Sequence, residues 1–436
     1  MITQTHSLVE QLSSGFNTFF INSQLADRQK AAFSFFEENG FPHKKMEDWQ
    51  YLPLAGLLSL PYEMLPKSNY DQLNLTDYYV PFDNAEVLVF VNGYFQAQLS
   101  TVQNMRDISS WKDNDFQNNP YFQQYWGKFA EAEKDGFVAA NLAFAQDGAF
   151  IALPDNTQEN TRIYLLHLYD NSIGNFNQQH NLIVLGENTH SEIIEAHYNI
   201  SNQHICLSNV VNEIFVEKNA HCNYYKLQDL QSNSSQINST NFYQKAHSYC
   251  NSYTLSLNGK LLRNNLNITL SEEGAEHHLM GFYFPNEKQL FDNHTTVNHA
   301  APNCFSNEIY KGFAADKATA IFNGKIWVEK YAQKTNAFQS NKNILLNDGA
   351  QIFTKPQLEI FADDVKCSHG CTIGQLDAEA MFYLQSRGIG ETTAQAMLMA
   401  SFAAEVFENM DNKDLYDFFL QKVYRKLHYT PETLEV

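Results

Sequence analysis

Between Asp155 and Phe284 the chain contains no proline, and that gap constrains its fold more than any motif does. Proline has no N–H to give to a ladder and is tolerated only at the margins of sheets. A long stretch without it, rich in β-branched residues, Tyr and Asn, is therefore free to pair on both edges. Short strand-like runs recur along it: "RIYLLHLY", "NLIVLG", "SEIIEAHYN", "NEIFVE", "CNYYKLQ", "NNLNITLS" and "HHLMGFYF". No intervening run has the length and spacing of a ten-residue helix. The pattern resumes in "ATAIFNGKIWV" and "AQIFTKPQLEIFA". A weak echo accompanies it, in which a polar pair and a small residue precede an apolar strand: "GENTHSEII", "EKNAHCNYY", "EEGAEHHLM", "ADKATAIF" and "NDGAQIFT". Coils too short to bury their own faces stack in this way. The expected fold is mainly β with helical appendages: a right-handed parallel β-helix core flanked by N-terminal and C-terminal helical regions. The alternative is a two-sheet sandwich, for which the strand-bearing region is large.

The flanks differ from this core. Residues 1–80 form an N-terminal region of helical spacing, in which Gly40 and Pro42 stop a helix. Residues 81–155 are a mixed lead-in, with a hairpin signal at Asn92-Gly93 and a turn at Asp147-Gly148. The β-helix is expected over 156–375. Residues 376–436 return to helical spacing. Asp377 is the expected N-cap of a first helix and Gly388 its stop. A second helix aligns Ala394, Leu398, Phe402 and Val406, and a third aligns Leu415, Phe419, Val423 and Leu427. These helices are expected to form a compact bundle on the last coil.

The chain has 436 residues, 44% of them hydrophobic and 14% aromatic, which is enough to bury a large core and excludes wholesale disorder. Its formal charge of −20 repels phosphate backbones and anionic lipid, so no nucleic acid and no membrane are expected as partners. The first residues lack the basic start and apolar run of a secretory signal, and no apolar stretch is long enough to span a bilayer. A cytoplasmic location follows, with reduced thiols. Cys206, Cys222, Cys250 and Cys304 each stand among strand-like residues and read as small buried hydrophobes.

Ordinary enzyme signatures are missing: no phosphate loop, no H-E-x-x-H and no G-x-S-x-G occurs. "GIGETT" joins two helices instead of a strand and a helix. His277 and His278 are neighbours in a strand and so point to opposite faces. His294, His299, Cys304 and Lys311 lie in a stretch that reads as loop-rich, where polar residues satisfy backbone groups. The chemically distinctive segment is "VKCSHGC", Val365 to Cys371. A thiolate and a neutral imidazole both suit iron or zinc, and Lys366 and His369 would favour the thiolate form of Cys367. Cys367, His369 and Cys371 alternate, so an extended backbone places all three on one face. Three donors leave a closed site one short. A half-site completed by another subunit, a Cys–His nucleophile and an ordinary turn all remain open at this point.

The run "ILLNDGAQIFTKPQLEIFADDVKCSHGCTIGQLDAEAMFYLQSRGI" resembles the signature of the SufB/SufD family of iron–sulfur cluster assembly proteins. Its K-C-S-H-G core is similar to the SufD branch; the SufB branch usually carries an E-H-E-type segment there. "GFPHKKMEDWQYLPL", "FVNGYF", "NLAFAQDGAFIALP" and "LLRNNLNITLSEEGAEHHLMGFYF" extend the resemblance over nearly the whole chain. The resemblance implies a non-enzymatic scaffold subunit that pairs with SufB through its β-helix and holds a SufC ATPase subunit on its C-terminal helices. It places Cys367 and His369 at the SufB–SufD interface, where they would hold metal transiently and share a nascent iron–sulfur cluster with the partner chain. It places Tyr383, Leu384, Ser386, Arg387 and Gly388 in the SufC-docking region. No cofactor is expected to stay bound to the isolated chain, flavin is left open, and an isolated chain could pair with itself as a homodimer. Family members usually carry alanine where this chain has Cys371, which is either a spare ligand or a small space-filling residue. The competing reading is a β-helix polysaccharide lyase or hydrolase, which would need acidic groups in register along a groove.

Overall fold

A computed structural model describes residues 8–15, 26–103, 107–112, 116 and 119–430. The long helical reading of the N-terminal region therefore falls partly outside the described residues. Within them, α1 (Leu8–Gly15), α2 (Ala26–Asn39) and α3 (Leu54–Leu58) are helical. α2 ends where Gly40 turns to φ +64°, as its glycine foretold. From residue 59 to 75 the chain carries no helix, which corrects the expectation of helix up to the end of that region.

The lead-in holds β1 (Glu86–Val91), β2 (Tyr94–Phe95), β3 (Ile108–Ser110), α4 (Pro120–Tyr125), α5 (Gly136–Phe144) and β4 (Ala149–Leu153). β1 and β2 form the hairpin that Asn92-Gly93 signals, both turn residues taking positive φ. Fifteen strands follow: β5 (Thr161–Tyr169), β6 (Asn175–Leu185), β7 (His190–Asn199), β8 (Cys206–Val216), β9 (His221–Asp229), β10 (Ser234–Gln244), β11 (Tyr249–Asn258) and β12 (Leu261–Leu270), then β13 (Glu276–Tyr283), β14 (Leu290–His299), β15 (Phe305–Ala314), β16 (Thr319–Val328), β17 (Asn336–Leu345), β18 (Gln351–Ile360) and β19 (Lys366–Gly374).

Odd strands from β5 to β19 pair in one parallel sheet and even strands from β4 to β18 in another. The chain alternates between the sheets, so each coil adds one strand to both, and a coil takes between 26 residues (Ser235↔Leu261) and 32 (Thr319↔Gln351). This is the expected parallel solenoid. The sandwich alternative had the two sheets right and the strand order wrong. The repeat echo is a set of corners: Asn156, Asn188, Asn219, His247, Asn303 and Lys334 all adopt left-handed backbone, as does Gly274. After the turn comes a small buried residue, among them Thr189, Ala220, Ser248, Ala275, Cys304 and Thr335. Asparagine suits this conformation because its short amide bonds locally, and here the amides also bond along the stack, Asn219 to Asn188 and Asn188 to Asn156. Proline enters a coil strand only at Pro356, in β18, which is an edge.

Each sheet's outer face is covered over the first and middle coils. The N-terminal helices and α5 pack on the even sheet, joining Phe36, Phe41, Trp49 and Phe137 to Phe176, Leu207, Phe215 and Ile237. At the C-terminus come α6 (Ala378–Ser386), α7 (Glu391–Ala404) and α8 (Lys413–Lys426). α7 and α8 pack on the odd sheet, where Phe407, Leu415, Phe419 and Val423 meet Tyr198, Tyr225, Tyr253 and Phe313. The helices therefore fold back over the middle coils and are not seated on the last one. The cause is the row of outward-facing aromatics on β7 to β15, which needs cover. Leu398 and Phe402, expected to be core, are only half-buried, and Met399 and Ala403 take the inner face.

The two ends of the solenoid differ. At the first, the antiparallel pairs β1–β2 and β3–β4 close the stack. At the last, β18 and β19 are terminal strands with no further coil above them.

Candidate metal-cluster site at the open end

The last coil builds the site. β19 lies in register on β17, with Cys367 over Ala337, His369 over Gln339 and Cys371 over Asn341. Ala337, Gln339 and Asn341 are all buried inside the solenoid. Cys367, His369 and Cys371 occupy the same inward row one coil later, as their alternation predicts. With nothing stacked above, Cys367 is half-buried and His369 and Cys371 are exposed. The row beneath Cys367 runs down through Ala337, Ser306, His277 and Cys250 to Cys222. The row beneath His369 runs through Gln339, Glu308 and Leu279.

Cys367 packs against a small apolar cluster with Leu358, Val365, Ala332 and Ile326. Burial pushes its thiol up from the ordinary value, against a smaller opposing effect of the Ala337 backbone. The expectation that Lys366 would favour the thiolate is thus not met: Lys366 lies next in the strand and so faces away. Deprotonation of this thiol needs a metal or another positive group brought to it. Two strand positions separate Cys367 from His369, about 6.6 Å along the backbone at about 3.3 Å per residue, enough room for an ion between thiol and imidazole.

A second layer lies beneath. The Gln339 amide donates to Glu308 Oε2 at 2.7 Å, and both side chains are buried. A Cβ at Gly324 would sit 2.2 Å from the Gln339 amide nitrogen, so glycine there is what lets Gln339 lie across the interior. Burial raises the Glu308 carboxyl to about 7, Thr295 and Gln339 opposing less strongly.

Among the described residues the open-end trio is not a gathered donor set; the group that brings three donor atoms within 4.8 Å of one another is His167, Glu195 and His197, deep inside the first coils. Burial, then the neighbouring His197, holds His167 down at about 3. Burial works to raise Glu195, but His197 and Lys226 outweigh it and keep the carboxyl below its ordinary range. Sequence reasoning missed this cluster. The available signal was register, for His167 and His197 are partners on β5 and β7.

The other sequence candidates do not converge. His277 is buried inside and His278 faces outward to Glu276. The stretch holding His294, His299, Cys304 and Lys311 is not loop-rich but forms β14 and β15. There His294 pairs with Asp292, His299 bonds Ser306, and Lys311 is paired with Glu405 of the helical region. The four strand cysteines are buried as expected; Cys222 and Cys250, however, stack as register partners.

The candidate docking residues sit on α6 and its end. Asp377 caps α6 by accepting from the Glu379 and Ala380 amides, and Gly388 closes it at φ +86°. α6 has no fully buried residue. Phe382 and Tyr383 are 72% and 57% exposed, Leu384 is half-buried, and Ser386, Arg387 and Gly388 are exposed. The Arg387 guanidinium lies over the Tyr383 ring at 5.2 Å. No helix among the described residues is long and apolar enough to cross a membrane.

Comparison with known proteins gives two family matches. The SufBD core domain of SUF-system FeS cluster assembly matches residues 168–402, and the SufBD protein N-terminal region matches residues 17–165. A SufBD-family iron–sulfur cluster assembly protein of Synechocystis is 30% identical over 89% of this chain and 88% of its own length. The Escherichia coli iron–sulfur cluster assembly protein SufD is 30% identical over 89% of this chain and 90% of its own. The chloroplastic protein ABCI7 of Arabidopsis is 35% identical over 48% of this chain and 44% of its own.

Proposed function

The chain belongs to the SufB/SufD family of iron–sulfur cluster assembly proteins, on its SufD side, and from that premise we propose that it is a non-enzymatic scaffold subunit whose open solenoid end receives SufB. Cys367 and His369 would supply part of the ligand set of a nascent iron–sulfur cluster, and SufB the rest. One observation carries this reading: a thiol and an imidazole stand on one face of a terminal coil that nothing among the described residues covers. Ferrous iron and sulfide are the cargo of such a site, and thiolate with imidazole suits that iron. An incomplete set held on a rigid wall binds cargo weakly alone and tightly once a partner closes it.

The same reading assigns the exposed face of α6 to a SufC ATPase subunit. Phe382 and Tyr383 form the apolar centre, with Ser386, Arg387 and Gly388 at the rim, a composition suited to a protein interface. It places the protein in the cytoplasm, with no cofactor retained by the isolated chain. In the absence of SufB, the open end would accept a second copy, since unpaired strand edges template pairing.

The test is co-expression with SufB and SufC, followed by pull-down and by iron and sulfide analysis. The wild-type complex should carry a cluster, and the complex with C367A and H369A together should assemble but carry little iron or sulfide. Undiminished cluster content in that double variant would defeat the assignment of the site.

A further inference from the structure

We propose that His167, Glu195 and His197 form a divalent transition-metal site enclosed in the solenoid, separate from the open end. Glu195 Oε1 lies 3.1 Å from His197 Nε2 and 3.7 Å from His167 Nε2. First-row dications with such ligands bind at about 2.0–2.2 Å, so donor atoms around one ion stand roughly 3–4 Å apart, as these do. Two imidazoles and one carboxylate are a donor set used for iron(II) and zinc.

Two features point to a ligand rather than to ordinary core polarity. The first is incompleteness: all three side chains are fully buried, yet neither ring nitrogen of His167 has a hydrogen-bond partner, and the Nε2 of His197 faces only the Glu195 carboxylate, at 3.1 Å. Buried polar atoms left without partners are uncommon and ask for an explanation. The second is the surrounding shell. His197 Nδ1 is held by the Tyr169 hydroxyl at 3.0 Å and approached by the Gln236 amide at 3.1 Å, which fixes the ring with Nε2 toward Glu195. Glu195 Oε2 accepts from the Tyr224 hydroxyl and from the Asn212 amide at 3.0 Å, leaving Oε1 turned to the histidines. Metal ligands are oriented in this manner by groups that do not touch the ion.

The rest of the geometry sets the terms of capture. The His167 and His197 rings are stacked 4.7 Å apart with 13° between their planes, so one must turn for both lone pairs to meet a single ion. His167 is the ring to turn, because no hydrogen bond fixes it, and turning it would displace its stacking on Phe90 at 5.4 Å. Lys226 stands on the far side of the carboxylate, Nζ at 4.0 Å from Oε2, and donates to Asn238 and Thr240. An ion this enclosed would enter as the chain folds and leave slowly.

The proposal is tested on the full chain carrying C367A, H369A and C371A, which removes the open-end donors. The protein is produced in zinc- or iron-supplemented cells, passed through EDTA, and assayed for metal by elemental analysis. The expected result is one ion per chain, with an X-ray absorption spectrum showing nitrogen and oxygen ligands and no sulfur. Adding H197Q should abolish retention. Should that variant fail to fold, Tyr169→Phe loosens His197 without removing a ligand and should weaken binding about 10-fold. A folded chain without metal, sulfur in the coordination shell, or retention unchanged by both variants would each overturn the site.

Discussion

Glu308 offers a quantitative check on the interior beneath the open end. Its carboxyl is fully enclosed, accepts one amide hydrogen bond from Gln339, and has no partner at Oε1. Burial raises it to about 7 from an ordinary 4.5. The folded state therefore holds this proton where the unfolded state releases it. The associated stability is fully present below about 4.5 and is lost as pH rises through about 7. At about 1.4 kcal/mol per pH unit, the gap amounts to about 3 kcal/mol by pH 8. Glu308→Gln keeps the shape and cannot ionise. Its absolute stability includes an offset, because the amide bonds Gln339 differently, but that offset is independent of pH. The informative quantity is thus the difference between the two proteins across pH. Urea midpoints measured from pH 5 to pH 8.5 should show Glu308→Gln gaining on the wild type by about 2.5 kcal/mol over the range. Parallel curves would refute the reasoning, since they would mean that water or a counter-charge reaches the carboxyl.

Four further outcomes follow from the packing. Arg263 bonds the buried Asp292 and the Asp48 carbonyl and lies 4.4 Å from the Trp49 ring, so Arg263→Ala should cost about 3–5 kcal/mol and free the loop around Trp49, seen as a rise in its solvent-exposed fluorescence. Burial works to raise Asp292, but Arg263 and His294 outweigh it and lower it; the wild type should therefore lose this pair's contribution as pH falls through that lowered value, measured by acid unfolding. Gly281 and Gly312 face the rings of Tyr310 and Tyr283, where an added Cβ would lie 2.2 and 2.0 Å away; Ala at either should destabilise by about 1–3 kcal/mol in thermal unfolding. Cys371→Ala should leave both melting temperature and cluster content unchanged, because Cys371 is exposed and its side chain closes no contact of the core.

Much of this architecture was legible because a parallel solenoid writes its own rules into the chain. A central strand cannot spare an N–H, so proline vanishes from it. Corners need left-handed backbone, so Asn and Gly recur there. The alternation of Cys367, His369 and Cys371 was enough to place them on one face. What stayed hidden lies where polar residues point inward. In "SEIIEAHYN" the core-facing row is Ile193, Glu195 and His197, so a reading that sends polar side chains to solvent assigns the faces wrongly. The position of the C-terminal helices was equally unreadable: an apolar stripe on α8 states that it will be covered, not which sheet supplies the cover. Tyr198, Tyr225 and Tyr253 supply it, and they become a surface only once the coils are stacked.

The difference between the two ends of the stack links fold to function. A coil's inward residues are buried by the next coil, so a solenoid makes each layer ordinary except the last. Closing both ends would have left a self-sufficient rod, and the antiparallel strands β2 and β3 do this at the first end. At the other end, the rows that carry Ala337 and Gln339 continue into Cys367 and His369, and the same positions that pack the interior now face outward. β18 bears Pro356 and Lys355, residues that discourage indiscriminate strand addition, yet Phe361 and Ile373 beside it are exposed. An edge that is both guarded and apolar fits one partner of matching shape better than open aggregation. Under the proposed function, cluster ligands would need no specialised loop: Cys367 and His369 are core positions left without a roof, and a second polypeptide that roofed them would also complete their coordination.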